Sequence, residues 1–292
     1  MTASGYARLL LLAAVWGGSF LFMRIAVPAI GAGSVVFGRL ALGALFMTVV
    51  CQLRREPLRL REHWRAYLVL GFFNTGLPFL LFSLAASHVP AGLLSILNAT
   101  TTFWGTLIGA AWSRQPLHGL VWLGLALGVV GVGALVGLDP AVLTQGAPLA
   151  VACGLSAAIC YGIGATVARF GPKIPPLATA HGSLWSATLL VLPALLLDPP
   201  HQVPGFGVLA ALLSLGLLCS GLAYLLYFGL LAEFSTQQVL SVAFLIPLFG
   251  VLWGCLFLGE VIGPHTIFGA AAVLGGTAFV NRGQRAAAGK PA

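Results

Sequence analysis

Few residues in this chain are suited to chemistry, and most of those are neutral. Neither H-E-x-x-H nor G-x-S-x-G occurs, and no two carboxylates share an apolar stretch, so metallohydrolase, serine-hydrolase and aspartyl mechanisms have no residues to run on. The cysteines, at 51, 153, 160, 219 and 255, form no C-x-x-C pair and read as small packing residues. His181 stands alone among apolar neighbours. What remains is a set of hydroxyl, amide and aromatic side chains. Phe79, Phe82 and Ser83 share a helical face at i, i+3 and i+4. Ser95, Asn98, Thr101 and Thr102 form a polar stripe at helical spacing, joined by Trp16, Ser19, Trp104, Tyr161, Ser220, Tyr224, Tyr227 and Ser241 on other apolar stretches. Rings that stack and dipoles that donate or accept suit the holding of an uncharged or zwitterionic solute with an apolar side chain. Each residue also has a plainer reading. Serine and threonine bond back to their own helix, aromatics pack or anchor at an interface, and glycines let helices approach. The Asn98 amide is the exception, because one helix cannot satisfy it.

The elements that must carry these residues follow from composition. Of 292 residues, 59% are hydrophobic and 7% charged, and glycine adds 38 more weakly polar positions. A soluble domain carries about 25% charge, so a soluble enzyme and a disordered chain are excluded. The net charge of +8 lies in short gaps between apolar runs rather than over one face, so no nucleic-acid partner is expected. Ten runs are long enough to cross a bilayer as helices: 6–27, 33–53, 66–86, 91–112, 119–137, 147–168, 176–197, 207–227, 236–257 and 264–281. They are apolar all round, unlike the alternating strands of an outer-membrane barrel. The first run is long and ends in Arg24, so it is read as a span and not as a cleaved signal. With the N-terminus cytoplasmic, twelve Lys and Arg fall in inner connections and tails and none in the outer ones, which carry Asp139, Asp198 and Glu260. That bias puts both termini in the cytoplasm. The cluster RREPLRLREHWR at 54–65 then meets the inner leaflet of the lipid bilayer.

A shift of 145 residues lays the chain on itself. Gly17 falls on Gly162, Trp16 on Tyr161, Gly71 on Gly216, Phe79 to Phe82 on Tyr224 to Tyr227, Gly105 on Gly250, and Gly124 and Gly131 on Gly269 and Gly276. The expected fold class is all-α integral membrane, ten transmembrane helices in two inverted five-helix repeats, 6–137 and 147–281, with a short cytoplasmic tail, 282–292. Because each half has an odd number of spans, the second enters the membrane from the opposite side. That arrangement suits alternating access around a central site. Runs 1, 3, 4, 6, 8 and 9 are expected to line it.

The segments WGGSF at 16–20, Gly38-Arg39 in the second run, and Leu258-Gly259-Glu260 before the glycine-spaced last run resemble the drug/metabolite transporter superfamily, specifically the EamA-like ten-helix exporters. The likeness covers about residues 6–281; where the first half has the position matching Glu260 the chain reads Ser113-Arg114-Gln115. The resemblance implies a secondary transporter of a bacterial inner membrane that needs no cofactor or metal. Within that group the chain is similar to YddG-type exporters of aromatic amino acids, which implies an aromatic or large apolar amino acid as substrate. From the repeat and the polar and aromatic positions on the runs that line the site, the expected substrate contacts are Trp16, Ser19, Phe79, Ser83, Asn98, Thr101, Trp104, Tyr161, Tyr224 and Ser241. Other metabolites and drugs are the alternative within the superfamily; a channel or an intramembrane enzyme is the alternative outside it. A proton-coupled exporter of cations would need a glutamate in the first helix, where this chain has Trp16 and Ser19, and a phosphate-ester carrier would need a basic residue at mid-membrane. Transport is therefore expected to run downhill without an obligatory proton, in a neutral site, in a monomer. Arg39 and Glu260 are gating candidates. Arg39 either snorkels to the outer headgroups or pairs with Glu260, and Glu260 alternatively favours the N-terminus of the last helix beside Pro264.

Overall fold

The computed structural model describes residues 1–138 and 146–288. Expectations that rest on Asp139, Pro140 and Lys290 lie outside them. Among the described residues the secondary structure is helical throughout. Nine helices among the described residues are long and apolar enough to cross a membrane: α1 (Ala3–Ile30), α2 (Ala32–Leu53), α3 (Leu60–Ala86), α4 (Ala91–Ser113), α5 (Gly119–Gly137), α6 (Ala147–Phe170), α7 (Pro176–Leu197), α8 (Phe206–Glu233) and α9 (Gln238–Leu258). A further long helix, α10 (Pro264–Ala288), packs along α5. It is not among the nine, since His265 at its start and Asn281, Arg282 and Arg285 at its end dilute its apolar stretch.

Several helices outrun the apolar runs that announce them. α3 begins at Leu60, inside the basic cluster, because its first turns are amphipathic and Tyr67, fully buried, donates back to the carbonyl of Leu58 at 2.7 Å. α8 continues to Glu233, whose carboxylate pairs with Arg8 of α1. Backbone hydrogen bonding propagates a helix past the edge of its apolar face wherever the next residues are good helix formers.

The halves interlock. α1 packs on α8 and α9, and α6 packs on α3 and α4; α2 packs on α8, and α7 on α3. α2 meets α7, α4 meets α9 and α5 meets α10. Under the shift of 145 residues the first contacts exchange in pairs, and α2–α7, α4–α9 and α5–α10 map onto themselves. Several close crossings are made by the glycines the shift aligns. A Cβ on Gly17 would lie 2.8 Å from Phe249 Cβ and 3.0 Å from the amide of Gly250; one on Gly162 would lie 2.9 Å from Trp104 Cβ and 2.8 Å from the amide of Gly105. In the same way a Cβ added to Gly124 would lie 2.5 Å from the carbonyl oxygen of Gly276, and one added to Gly131 would lie 2.8 Å from that of Gly269. Lipid tails are as apolar as leucine, so helices in a membrane associate through such close backbone approach rather than through hydrophobic burial. α3 and α8 also share a local device: each contains a π-helical stretch, Phe72–Gly76 and Ser214–Leu222. One extra residue per turn there rotates the side chains that follow, and those side chains include Phe79 and Tyr224.

Candidate functional site

A cavity of about 280 Å³ lies where α1, α2, α3, α4, α6, α8 and α9 converge. Its wall contains aligned partners from both halves: Trp16 with Tyr161, Asn74 with Cys219, Phe79 with Tyr224, and Phe82 with Tyr227. Ser19, Phe20, Met23, Arg39, Asn98 and Ile246 complete it. The rings hold one another in place. Trp16 and Tyr227 have centroids 5.5 Å apart, Phe20 meets Phe82 edge-on at 5.5 Å, and Phe82 lies 6.2 Å from Tyr161. The Trp16 indole donates to the carbonyl of Cys219 at 3.2 Å, fixing α1 against the π-helical stretch of α8.

Of the substrate residues expected from the sequence, Trp16, Ser19, Phe79, Asn98, Tyr161 and Tyr224 line this cavity. Four do not. Ser83 is buried behind the wall and donates to Met23 Sδ at 3.4 Å. Thr101 turns its hydroxyl into packing, where it has no partner. Trp104 packs against Gly162, with its indole nitrogen buried and unpartnered. Ser241 donates to the Gln238 carbonyl at 2.6 Å and lies on a different groove. Helical spacing alone puts Thr101 and Asn98 on one stripe, but α4 is interrupted at Thr100, whose hydroxyl bonds the Leu97 carbonyl at 2.6 Å, and the stripe is broken there. Phe20 and Met23 were not expected. Their spacing of four and seven residues from Trp16 is the signal that could have found them.

The gating candidates are placed differently from expectation. Arg39 is 4% exposed and lines the cavity; its Nε donates to Ser220 Oγ at 2.9 Å, and its guanidinium lies 3.6 Å from the Phe79 ring centroid. It neither snorkels nor pairs with Glu260, because the α2 face that carries it turns toward α8, where Gly216 lets the backbones approach. The cavity is therefore not neutral. Glu260 accepts from the amides of Ala91 at 2.7 Å and Gly92 at 3.1 Å. It caps the N-terminus of α4, not that of α10, and a carboxylate there meets the positive end of the helix dipole. Asp198 makes a like clasp, accepting from the Gly33 amide of α2 at 3.1 Å, while Ser34 Oγ donates to the Asp198 carbonyl at 3.2 Å. Arg24 Nη1 donates to the Ala86 carbonyl at 2.8 Å nearby. All these bonds lie at the end of the bundle away from the chain termini.

The terminal end differs. There a groove of about 560 Å³ runs between the ends of α4, α6, α9 and α10, lined by Thr106, Gln115, Arg169, Ser241 and Gln284 among others. Gln115, which the shift aligns with Glu260, lines this groove. The helical segment Thr236–Leu240, which overlaps the start of α9, is capped locally by Ser235 and Gln238 in a reciprocal capping box. His181 stands apart from both cavities, beside Thr48. That hydroxyl donates to the Ala44 carbonyl at 2.8 Å and accepts from the Trp185 indole at 2.9 Å, so the 2.9 Å contact makes His181 Nε2 a donor and leaves Nδ1 unpartnered.

A bundle of long apolar helices around a small polar and aromatic cavity, clasped at one end and grooved at the other, defines a membrane transport protein. The chain belongs to the EamA-like transporter family, whose model matches residues 3–137 and again residues 148–282. It is 32% identical over 271 residues to an uncharacterised protein of Pseudomonas aeruginosa, covering 91% of this chain and 90% of that one. To the threonine/homoserine exporter RhtA of Escherichia coli K12 it is 29% identical, covering 91% and 87% of the two chains. To a probable terminal-alkyne amino-acid exporter of Streptantibioticus cattleyicolor it is 25% identical, covering 97% and 96%. A solved crystal structure of 14% identity shares the fold, with a TM-score of 0.69 over 98% of this chain and 99% of that one.

Proposed function

We propose that this protein is a secondary exporter of amino acids with apolar side chains, aromatic ones among them, working by alternating access in the inner membrane of a bacterium. The observation that carries this reading is the cavity wall, built from pairs of residues that the shift of 145 aligns, one from each half. A site on a pseudo-two-fold axis can be approached equally from either end when the halves exchange conformations. The two family matches, at 3–137 and 148–282, keep the same shift, which supports a ten-span chain of two inverted repeats, 6–137 and 147–281. The Lys and Arg bias supports cytoplasmic termini. A monomer suffices, since both halves of the site come from one chain.

The groove at the terminal end and the clasps at the other describe an inward-facing arrangement under this orientation. The outward-facing one requires release of Glu260 from α4 and of Asp198 from α2. Stacking of a solute ring on Trp16, Phe79, Tyr161 or Tyr224 contributes roughly 0.5–1.5 kcal/mol beyond burial. A cavity near 280 Å³ is at the small end for ligand sites, where about 300–1,000 Å³ is usual, and suits one amino acid rather than a large drug. Among the described residues no carboxylate lines it, so no carboxylate proton carrier is found in the wall and transport runs down the solute gradient. Liposomes reconstituted with the purified protein and offered amino acids, sugars and cationic drugs test this directly. Saturable uptake of phenylalanine, tryptophan or methionine that does not concentrate under an imposed pH gradient is expected. Movement of a sugar or a cation with none of the amino acids would refute the substrate class, and protonophore-sensitive accumulation would refute the uncoupled mechanism.

A further inference from the structure

We propose that Arg39 is the anchor for the solute's carboxylate and sets the chemical class that the cavity accepts, an inference that rests on the reading of this cavity as the transport site. The guanidinium is 4% exposed, and none of the ion pairs among the described residues includes it. It does not lose its proton inside proteins. An unpaired buried charge is strongly unfavourable, whereas one that is paired and hydrogen-bonded is tolerated. The protein supplies only part of that pairing. Nε donates to Ser220 Oγ at 2.9 Å, and the cation lies over the Phe79 ring at 3.6 Å, which attracts it through the ring quadrupole. The two terminal nitrogens have no acceptor among the described residues, and the side chain borders the cavity. Their N–H groups form the fork that matches a carboxylate bidentately.

Charge balance favours a monoanion such as a carboxylate over a phosphate monoester. One guanidinium neutralises one carboxylate, while a phosphate monoester carries about −1.5 to −2 and would leave negative charge uncompensated in the same cavity. The remaining polar wall suits an ammonium group: the amide oxygens of Asn74 and Asn98 accept, and the faces of Trp16 and Tyr161 attract cations. Arg39 also breaks the pairing seen elsewhere in the wall, since the shift aligns it with Leu184, a fully buried apolar residue. The aromatic surface is thus shared between halves, but the charge that orients the solute belongs to the first half alone.

Binding is measured by thermal shift and by competition in detergent, using the parent protein and Arg39→Gln, with Arg39→Lys to restore charge without the fork. The probes are phenylalanine, phenylalaninamide, threonine, threoninamide, 3-phenylpropionate and phenyl phosphate. The parent is expected to bind each carboxylate about tenfold or more tightly than its amide, the discrimination of a charge-assisted hydrogen-bonded pair. Arg39→Gln should bring the two within about twofold, a loss confined to the acid and leaving the amide unchanged. If Arg39→Gln does not fold, phenylglyoxal modification of the parent decides. Phenylalanine should slow labelling of the Arg39 peptide, and phenylalaninamide should not. The proposal is overturned by a folded Arg39→Gln that keeps the acid-to-amide discrimination, by equal protection from acid and amide, by preference for phenyl phosphate, or by a parent that binds none of the carboxylates. Binding of 3-phenylpropionate through Arg39 without binding of either amino acid upholds the anchor and refutes the amino-acid reading. Amino-acid binding indifferent to Arg39 does the reverse.

Discussion

Two charged residues, Arg39 and Glu260, show how much of a side chain's role depends on the face it leaves from. From the sequence both are candidates for an outer gate, with a plainer reading beside it, snorkelling for Arg39 and a helix N-terminus for Glu260. Counting along a helix gives distance from its end but not direction around it. Arg39 enters the bundle because Gly216 draws α8 against the α2 face that carries it. Glu260 reaches across to α4, because the tight turn at Gly259, with φ of 65°, ends α9 and brings the carboxylate under the free amides of Ala91 and Gly92. The bond is testable. Glu260→Gln keeps an acceptor but removes the charge, and should lower thermal stability by about 0.5–2 kcal/mol while speeding hydrogen exchange at Ala91 and Gly92. Unchanged exchange at these two amides would show that the cap carries no weight. The cavity aromatics are more legible than the charges. Trp16, Tyr161, Phe79 and Tyr224 can be found from the repeat alone, because a position that is aromatic in both halves marks the wall the halves share. Ser83, Thr101 and Ser241 cannot be told from lining residues by type or spacing, since the hydroxyls of Ser83 and Ser241 find acceptors within the protein and that of Thr101 is turned into packing.

At the level of helices, glycines decide which elements touch. Gly17 and its aligned partner Gly162 sit at equivalent crossings, and neither leaves room for a Cβ. Gly18, one residue on, would place a Cβ no closer than 3.5 Å to its neighbours. Gly17→Ala is therefore expected to destabilise by about 1–3 kcal/mol, the range for overpacking a tight contact, and Gly18→Ala to be nearly neutral. Thermal unfolding of the two purified variants in one detergent checks the contrast, and equal loss in both would mean that the crossing is not specific. The helices themselves are plain in the sequence because about twenty apolar residues admit no other structure in a membrane. Their interruptions are not. The π-helical stretches of α3 and α8, the break at Thr100 and the amphipathic start of α3 arise from tertiary contacts, and hydropathy is blind to them.

For the whole molecule, the main contacts between the halves map onto one another under one shift, yet its two ends differ. Glu260 and Asp198 join the halves through backbone amides at one end, while at the other the halves meet in the exposed Arg8–Glu233 ion pair and Gln115 stands on an open groove. Two similar-energy arrangements need only a few such bonds to favour one of them, and a ligand that binds both equally leaves their ratio unchanged. Cysteines placed near residues 58 and 200 should be labelled from opposite sides of the membrane, with 58 on the cytoplasmic side. Labelling of both from one side would end the inverted-repeat reading. The most direct test is counterflow of labelled phenylalanine in proteoliposomes carrying the parent or single alanine variants. Trp16→Ala, Phe79→Ala and Tyr161→Ala, which alter the cavity wall, should slow exchange by about threefold to tenfold, each losing up to ~1.5 kcal/mol of stacking. Ser83→Ala and Ser241→Ala, outside the wall, should exchange like the parent. Full exchange in the three aromatic variants, with loss in Ser241→Ala, would put the transport path in the terminal groove and contradict a central site shared by the two halves.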